Sequence, residues 1–104
     1  MQYDYLVFDR VDWSKRGQYM LERHAISVLV AQEVLADPNR VVIDPDYNSA
    51  TGQGVRIVGY SSLEGAVVSL IVMEVDGIAY GVNGWRSNEK DRRIYREVED
   101  DGQD

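Results

Sequence analysis

Residues 67–85 decide the fold of this chain, and they read VVSLIVMEVDGIAYGVNGW. Almost every side chain from residue 67 to residue 75 is apolar, as in a central strand that is buried on both faces. Asp76 and Gly77 follow, a dipeptide typical of a two-residue hairpin turn in which both residues adopt positive φ. Residues 78–85 are therefore expected to pair back, giving an antiparallel hairpin whose first strand lies in the sheet interior.

The segments before this hairpin predict two helices and three shorter strands. Residues 12–24 place aromatic and apolar side chains at helical spacing. Ser27 is a suitable N-cap for a second helix, and Asp37 ends it because a residue before proline avoids the helical region. Residues 3–8, 41–43 and 55–60 favour strands, and residues 44–54 form a loop rich in turn formers.

The predicted fold class is α+β, an antiparallel β-sheet meander with two N-terminal helices and a C-terminal helix, the helices lying on one face. Residues 1–98 form a single domain, as expected for a chain of 104 residues. Residues 99–104 are an acidic tail with almost no apolar content, so we expect it to be disordered.

Composition narrows the function classes. The chain has no cysteine, which excludes disulfides, thiolate metal sites and cysteine nucleophiles. No apolar run approaches the roughly 18 residues that a membrane span needs, and the acidic N-terminus lacks the basic region of a signal peptide. We expect a cytoplasmic protein without metal or cofactor. Asp44 and Asp46, two residues apart in a loop, are interpreted as turn residues rather than metal ligands.

Residues 81–96 are the most cationic part of a chain whose net charge is −7. Five of these sixteen residues are Arg or Lys, at the predicted junction between the last strand and the last helix. Ser87 is the expected N-cap of that helix. The charges fit either a solvated, salt-bridged helix or a surface that contacts a polyanion such as RNA.

Four residues are candidate catalytic groups, and three more are candidates for RNA binding. A ribonuclease without metal needs a proton-transfer group and cations that stabilise the charge on the scissile phosphate. The catalytic candidates are His24, Arg56, Arg86 and Arg92, and the RNA-binding candidates are Trp85, Arg93 and Tyr95. Structural alternatives remain open: packing roles for His24, Trp85 and Tyr95, and, for Arg56, an ion pair with Glu33, Glu64 or Glu74.

The order of several short motifs resembles the BrnT family of type II toxins, small ribonucleases with a RelE-like fold. These motifs include Arg23-His24-Ala25-Ile26-Ser27, Asp44-Pro45-Asp46 and Arg92-x-x-Tyr95. The resemblance covers roughly residues 12–95. It implies a RelE-like fold, endoribonuclease activity that inhibits translation, and a DNA-binding antitoxin partner, commonly of ribbon-helix-helix type. It leaves open a homodimer or a toxin–antitoxin heterotetramer.

The chain also departs from the family pattern. Ala25 replaces the family's glycine, Tyr47 its second histidine, and Trp85 the arginine that ends the closing strand. The family's toxins are generally basic, whereas this chain is acidic. The expected function is a metal-independent endoribonuclease toxin. The alternative is a catalytically silent protein-binding module on the same fold, and convergence of Arg56, Arg86 and Arg92 with His24 would favour the enzyme.

Overall fold

The computed structural model describes the backbone of residues 10–101 and the side chains of residues 10–97. In chain order its elements are α1 (Gly17–His24), α2 (Val28–Ala36), β1 (Val41–Ile43), β2 (Gly54–Ser61), β3 (Ala66–Val75), β4 (Ile78–Arg86) and α3 (Glu89–Asp101). This order confirms the predicted α+β class. The strand expected at residues 3–8 lies outside the described residues.

The four strands form one antiparallel meander in the order β1-β2-β3-β4. Strand β3 pairs with β2 on one side and with β4 on the other, so the apolar run at residues 67–75 is interior, as predicted. The turn residues Asp76 and Gly77 have φ of 53° and 82°, which confirms the two-residue hairpin. A bulge between Ile71 and Val72 shifts the β3–β4 register by one residue.

Helices α1 and α2 cover one face of the sheet and enclose the main core. Glycines let the helices approach closely: a Cβ on Gly59 would come within 2.9 Å of the Val34 carbonyl oxygen, and one on Gly84 within 2.9 Å of Met20 Sδ. Side chains from both helices and from β2, β3 and β4 fill this core. Those with no measurable exposure are Met20, Ile26, Ala31, Val34, Ile57, Val68 and Leu70.

Helix α3 lies on the opposite face, which differs from the expectation that all helices share one side. Successive side chains of a strand point to opposite faces. Gly59 faces α2, so Arg56, three residues earlier on β2, faces the other way and bonds to Asp91 of α3. Val58 and Tyr95 are buried on this second face. The sheet is therefore covered on both sides near β2.

Local capping decides where the helices begin. Ser27 accepts a hydrogen bond from the Val30 amide, as expected of an N-cap. The prediction for Ser87 was wrong: Asn88 accepts from the Asp91 amide at 2.8 Å, while the Ser87 hydroxyl turns inward to Ser69. The first helix starts at Gly17 rather than Asp12, because the Asp12 backbone pairs with β4 instead.

Helix α3 continues through Asp101, so the helical backbone includes the first three residues of the predicted acidic tail. The side chains of these three residues and all of residues 102–104 lie outside the description. Within residues 10–101, no helix is both long and apolar enough to cross a membrane.

Candidate functional site

A buried arginine forms the centre of the most polar cluster in the described interior. Arg56 of β2 is only 2% exposed. Its Nε donates to Asp46 Oδ1 at 2.6 Å, and its Nη1 donates to Asp91 Oδ2 at 2.6 Å. A guanidinium is a planar fork of donors, so it can bond to two carboxylates at once. Arg56 thus joins the β1–β2 loop to α3 on the second face of the sheet.

Asp91 is fully buried and accepts three side-chain hydrogen bonds. Besides Arg56, the Tyr47 hydroxyl donates to Oδ1 and the Ser69 hydroxyl donates to Oδ2, each at 2.6 Å. Burial alone would raise the pKa of Asp91, but these hydrogen bonds and the positive charge of Arg56 lower it below its ordinary value. Asp91 is therefore held as a carboxylate.

The pKa values of the two titratable partners of Asp91, Arg56 and Tyr47, are raised. Burial would lower the pKa of Arg56, but the hydrogen bonds from its guanidinium to Asp46 and Asp91 raise it, so the group stays charged. Burial raises the pKa of Tyr47, and its hydrogen bond to Asp91 raises it further. Near neutrality the phenol keeps its proton and serves as a hydrogen-bond donor.

Aromatic rings enclose the guanidinium. Its Cζ lies 4.2 Å from the Tyr47 ring centroid and 5.3 Å from the Trp85 ring. Lys90 Nζ lies 3.9 Å from the Tyr47 centroid, and the His24 ring centroid lies 5.9 Å from that of Trp85. The fold thus brings together three of the predicted site residues, since Trp85 lies near both His24 and Arg56.

The other predicted site residues lie elsewhere and are occupied by different partners. Arg86 pairs with Glu64 at 2.7 Å on the surface. Arg92 pairs with Glu89 at 2.6 Å and donates to the Ser87 carbonyl, and Arg93 lies 3.7 Å from Glu89. Tyr95 is buried, and its hydroxyl donates to Asp37 at 2.6 Å. The arginines of the junction do not converge on His24.

Sequence analysis missed four members of the Arg56 cluster: Asp46, Tyr47, Ser69 and Asp91. Sequence analysis interprets Asp46 as a turn residue and does not place Asp91 among the proposed partners of Arg56. Arg56 itself was the sequence feature that could have pointed to these residues, because a buried charge in a sheet must be paired with groups of opposite charge. The proposed ion pairs of Arg56 with Glu33, Glu64 or Glu74 were wrong, since Asp46 and Asp91 occupy the guanidinium.

The second feature is an open surface groove of about 630 Å³ between the end of α2, the end of β2 and α3. It is lined by Glu33, Ala36, Asp37, Asn39, Tyr60, Ser62 and Tyr95. Glu33 accepts hydrogen bonds from the Leu63 amide and the hydroxyls of Ser61 and Ser62. The carboxylate of Glu33 thereby fixes the β2–β3 turn against α2.

Neither feature has a metal-binding geometry. Among the residues that the structure describes, no group of three or more His, Asp or Glu side chains is placed to hold a metal ion. The Arg56 cluster supplies two carboxylates, but the guanidinium between them bonds to one oxygen of each and offsets one of their two negative charges. Its chemistry is that of a fixed hydrogen-bond network.

Comparisons of the chain with protein families and with curated proteins find no match. A scan of the chain against protein-family models finds no matching family. A search of the curated proteins finds no match either. The fold established here is a small α+β domain with a four-stranded antiparallel sheet, and any functional assignment depends on the contacts described above.

Proposed function

We propose that this chain acts through protein contacts, as a catalytically silent binding module on a BrnT-like and RelE-like fold. The observation that supports this proposal most strongly is the state of Arg56. Its side chain is 3% exposed and bonded to two aspartates. Breaking a buried pair of this kind costs about 3–5 kcal/mol. A phosphate that displaced either aspartate would incur this cost, and little of the guanidinium is otherwise exposed.

The exposed arginines are only partly neutralised, because Glu89 alone lies near Arg92, Arg93 and Arg96. Arg86 has its own partner, Glu64, at 2.7 Å, and the chain as a whole carries a net charge of −7. Exposed pairs are weak, contributing about 0–1 kcal/mol, so a phosphate could compete for them individually. The overall field nevertheless opposes a polyanion. A protein partner imposes no such demand.

A second candidate is the metal-independent endoribonuclease toxin, whose partner would be a ribbon-helix-helix antitoxin. The specific observation in its favour is that the Trp85 ring lies near both His24 and Arg56, with ring and guanidinium separations of 5.9 and 5.3 Å. In this scheme Trp85 stacks on a base, His24 transfers a proton, and exposed Lys90 contacts a phosphate. Arg56 would act only by positioning Trp85.

Expression of the intact chain, followed by RNA analysis, separates the two candidates. As a binding module, the protein should not arrest growth, and the purified chain should leave end-labelled RNA intact in buffer with a metal chelator. Cleavage that is lost in both His24→Ala and Trp85→Ala, but kept in the control Lys15→Ala, which removes an exposed cation outside the candidate site, would contradict the proposal. That result would establish the ribonuclease instead.

A further inference from the structure

The open groove has a definite place in the fold. It lies beside the part of β2 that extends beyond its pairing with β1, so that on this edge the Tyr60 amide donates to Asp37 Oδ2 at 2.8 Å instead of to a neighbouring strand. The last turn of α2 forms one wall, and Tyr95 of α3 lies on the other side. Rigid elements therefore shape the groove on each side.

Two carboxylates give the groove a negative charge. All three groups that donate to Glu33 are uncharged, so its negative charge is retained. These hydrogen bonds lower the pKa of Glu33, and the one from the Leu63 amide has the largest effect. Asp37 accepts from the amides of Tyr60 and Asn39 and from the Tyr95 hydroxyl. Both acids lie on α2 or at its end, one turn apart.

Exposed apolar side chains surround these charges. Tyr60 lines the groove and is 45% exposed. Leu63 and Leu29 are 65% and 64% exposed, the two highest values among the large hydrophobic side chains. The Leu63 amide bonds to Glu33, and Leu29 precedes Glu33 by four residues on α2, so both leucines are neighbours of Glu33 at the border of the groove and not part of its lining. Exposed apolar surface rimmed by polar residues is typical of an interaction site.

We propose that this groove docks a basic segment of a partner protein in which Lys or Arg alternates with aliphatic residues. A cationic side chain would lie over the exposed face of Tyr60, near the carboxylates of Glu33 and Asp37. The neighbouring aliphatic side chains would pack on Leu29 and Leu63. The charge of the groove selects a cationic ligand, and its open form suits a chain segment better than a small molecule. This inference rests on the proposed binding function and names the chemistry of the partner.

The test is a titration of the ¹⁵N-labelled intact chain with three blocked hexapeptides, followed by amide chemical shifts. The first peptide alternates Arg and Leu, the second Arg and Ser, and the third Glu and Leu. The Arg–Leu peptide should shift amides around Glu33, Asp37, Tyr60 and Leu63. The Arg–Ser peptide should bind several-fold more weakly, and the Glu–Leu peptide should produce no saturable shift.

Matched variants locate the contacts. Tyr60→Ala should weaken binding of the Arg–Leu peptide about fivefold, and Leu63→Ser and Glu33→Gln should each weaken it several-fold. Tyr19→Ala and Ile78→Ser are the controls, since these side chains are 38% and 47% exposed outside the groove. Both controls should stay within twofold of the parent. Glutamine retains an acceptor for the Leu63 amide, so Glu33→Gln tests charge rather than the turn.

The inference is overturned if the shifts map outside the groove, if the Glu–Leu peptide binds equally well, or if groove and control variants lose affinity alike. This outcome is distinct from failure of the proposed function. Peptide binding in the groove by a chain that cleaves RNA would retain the docking site and reject catalytic silence. A chain that neither cleaves RNA nor binds the peptide would reject the docking site alone.

Discussion

Replacing Arg56 with alanine should destabilise the protein more than removal of any other described arginine. The substitution removes the cation that joins Asp46 and Asp91, whose side chains are only 8% and 0% exposed. Removing one partner of a buried ion pair costs about 3–5 kcal/mol, because the remaining charge is uncompensated. A domain of this size is ordinarily stable by about 5–15 kcal/mol. The loss is therefore a large share of the total.

Urea denaturation, monitored by tryptophan fluorescence, measures this loss of stability, and a thermal melt gives the corresponding change in melting temperature. At about 4–8 °C per kcal/mol, the melting temperature of Arg56→Ala should fall by roughly 12–40 °C. Arg86→Ala is the matched control, because its pair with Glu64 is 2.7 Å long but its side chain is 64% exposed. An exposed pair contributes about 0–1 kcal/mol. If the two alanine variants differ by less than about 1 kcal/mol, the cluster does not stabilise the fold as argued.

A double variant tests the stated cause. Adding Asp91→Asn to Arg56→Ala removes the more buried of the two unpaired charges while keeping an oxygen that can accept a hydrogen bond from Tyr47 or Ser69. The combined loss should be smaller than the sum of the two single losses, by more than the roughly 0.5 kcal/mol expected of independent sites. Additive losses would mean that the packing of the guanidinium against Tyr47 and Trp85 matters more than its charge.

Two further predictions concern acid sensitivity and close packing. Because the pKa of Asp91 is lowered on folding, its contribution to stability is fully present above the unfolded pKa of 3.8 and is lost as pH falls through the folded pKa. Between pH 6 and pH 3, the urea midpoint of Asp91→Asn should therefore drop less than that of the parent. Parallel curves of midpoint against pH would contradict this. Gly81→Ala should cost about 1–3 kcal/mol by thermal melting, because the added Cβ overlaps the Trp13 ring, whereas Gly54→Ala, whose nearest neighbour is 3.6 Å away, should lose clearly less.

The parts of the fold that could be predicted from sequence are those that depend on near neighbours. The β3–β4 hairpin followed from an apolar run and one dipeptide, and Ser27 was recognised because an N-cap bonds to the amide three residues on. The Ser87 prediction failed for a related reason. Asn88 could cap the helix equally well, and only the packing of Ser69 against Ser87 decides which residue turns inward.

The partners of Arg56 could not be found in this way, because they lie 10 and 35 residues away in the chain. Strand alternation rules out one of the proposed partners, Glu33, once its contact with Ser61 is known. Ser61, which bonds to Glu33, lies five residues after Arg56 and so faces the opposite side of the sheet. Choosing Asp91 required knowing that α3 crosses the second face. Charge patterning suggested a cationic surface helix, whereas its N-terminal acid is the group that docks it.

Helix α3 is held by two phenol–carboxylate hydrogen bonds that run in opposite directions. Tyr47 of the loop donates to Asp91 of the helix, and Tyr95, one helical turn later, donates to Asp37 at the end of α2, each at 2.6 Å. The first bond belongs to the Arg56 cluster and the second lines the groove. A ligand that engages Asp37 therefore acts on the same helix that the cluster anchors. Since a ligand that binds only the folded state raises its stability, occupation of the groove should favour the docked helix.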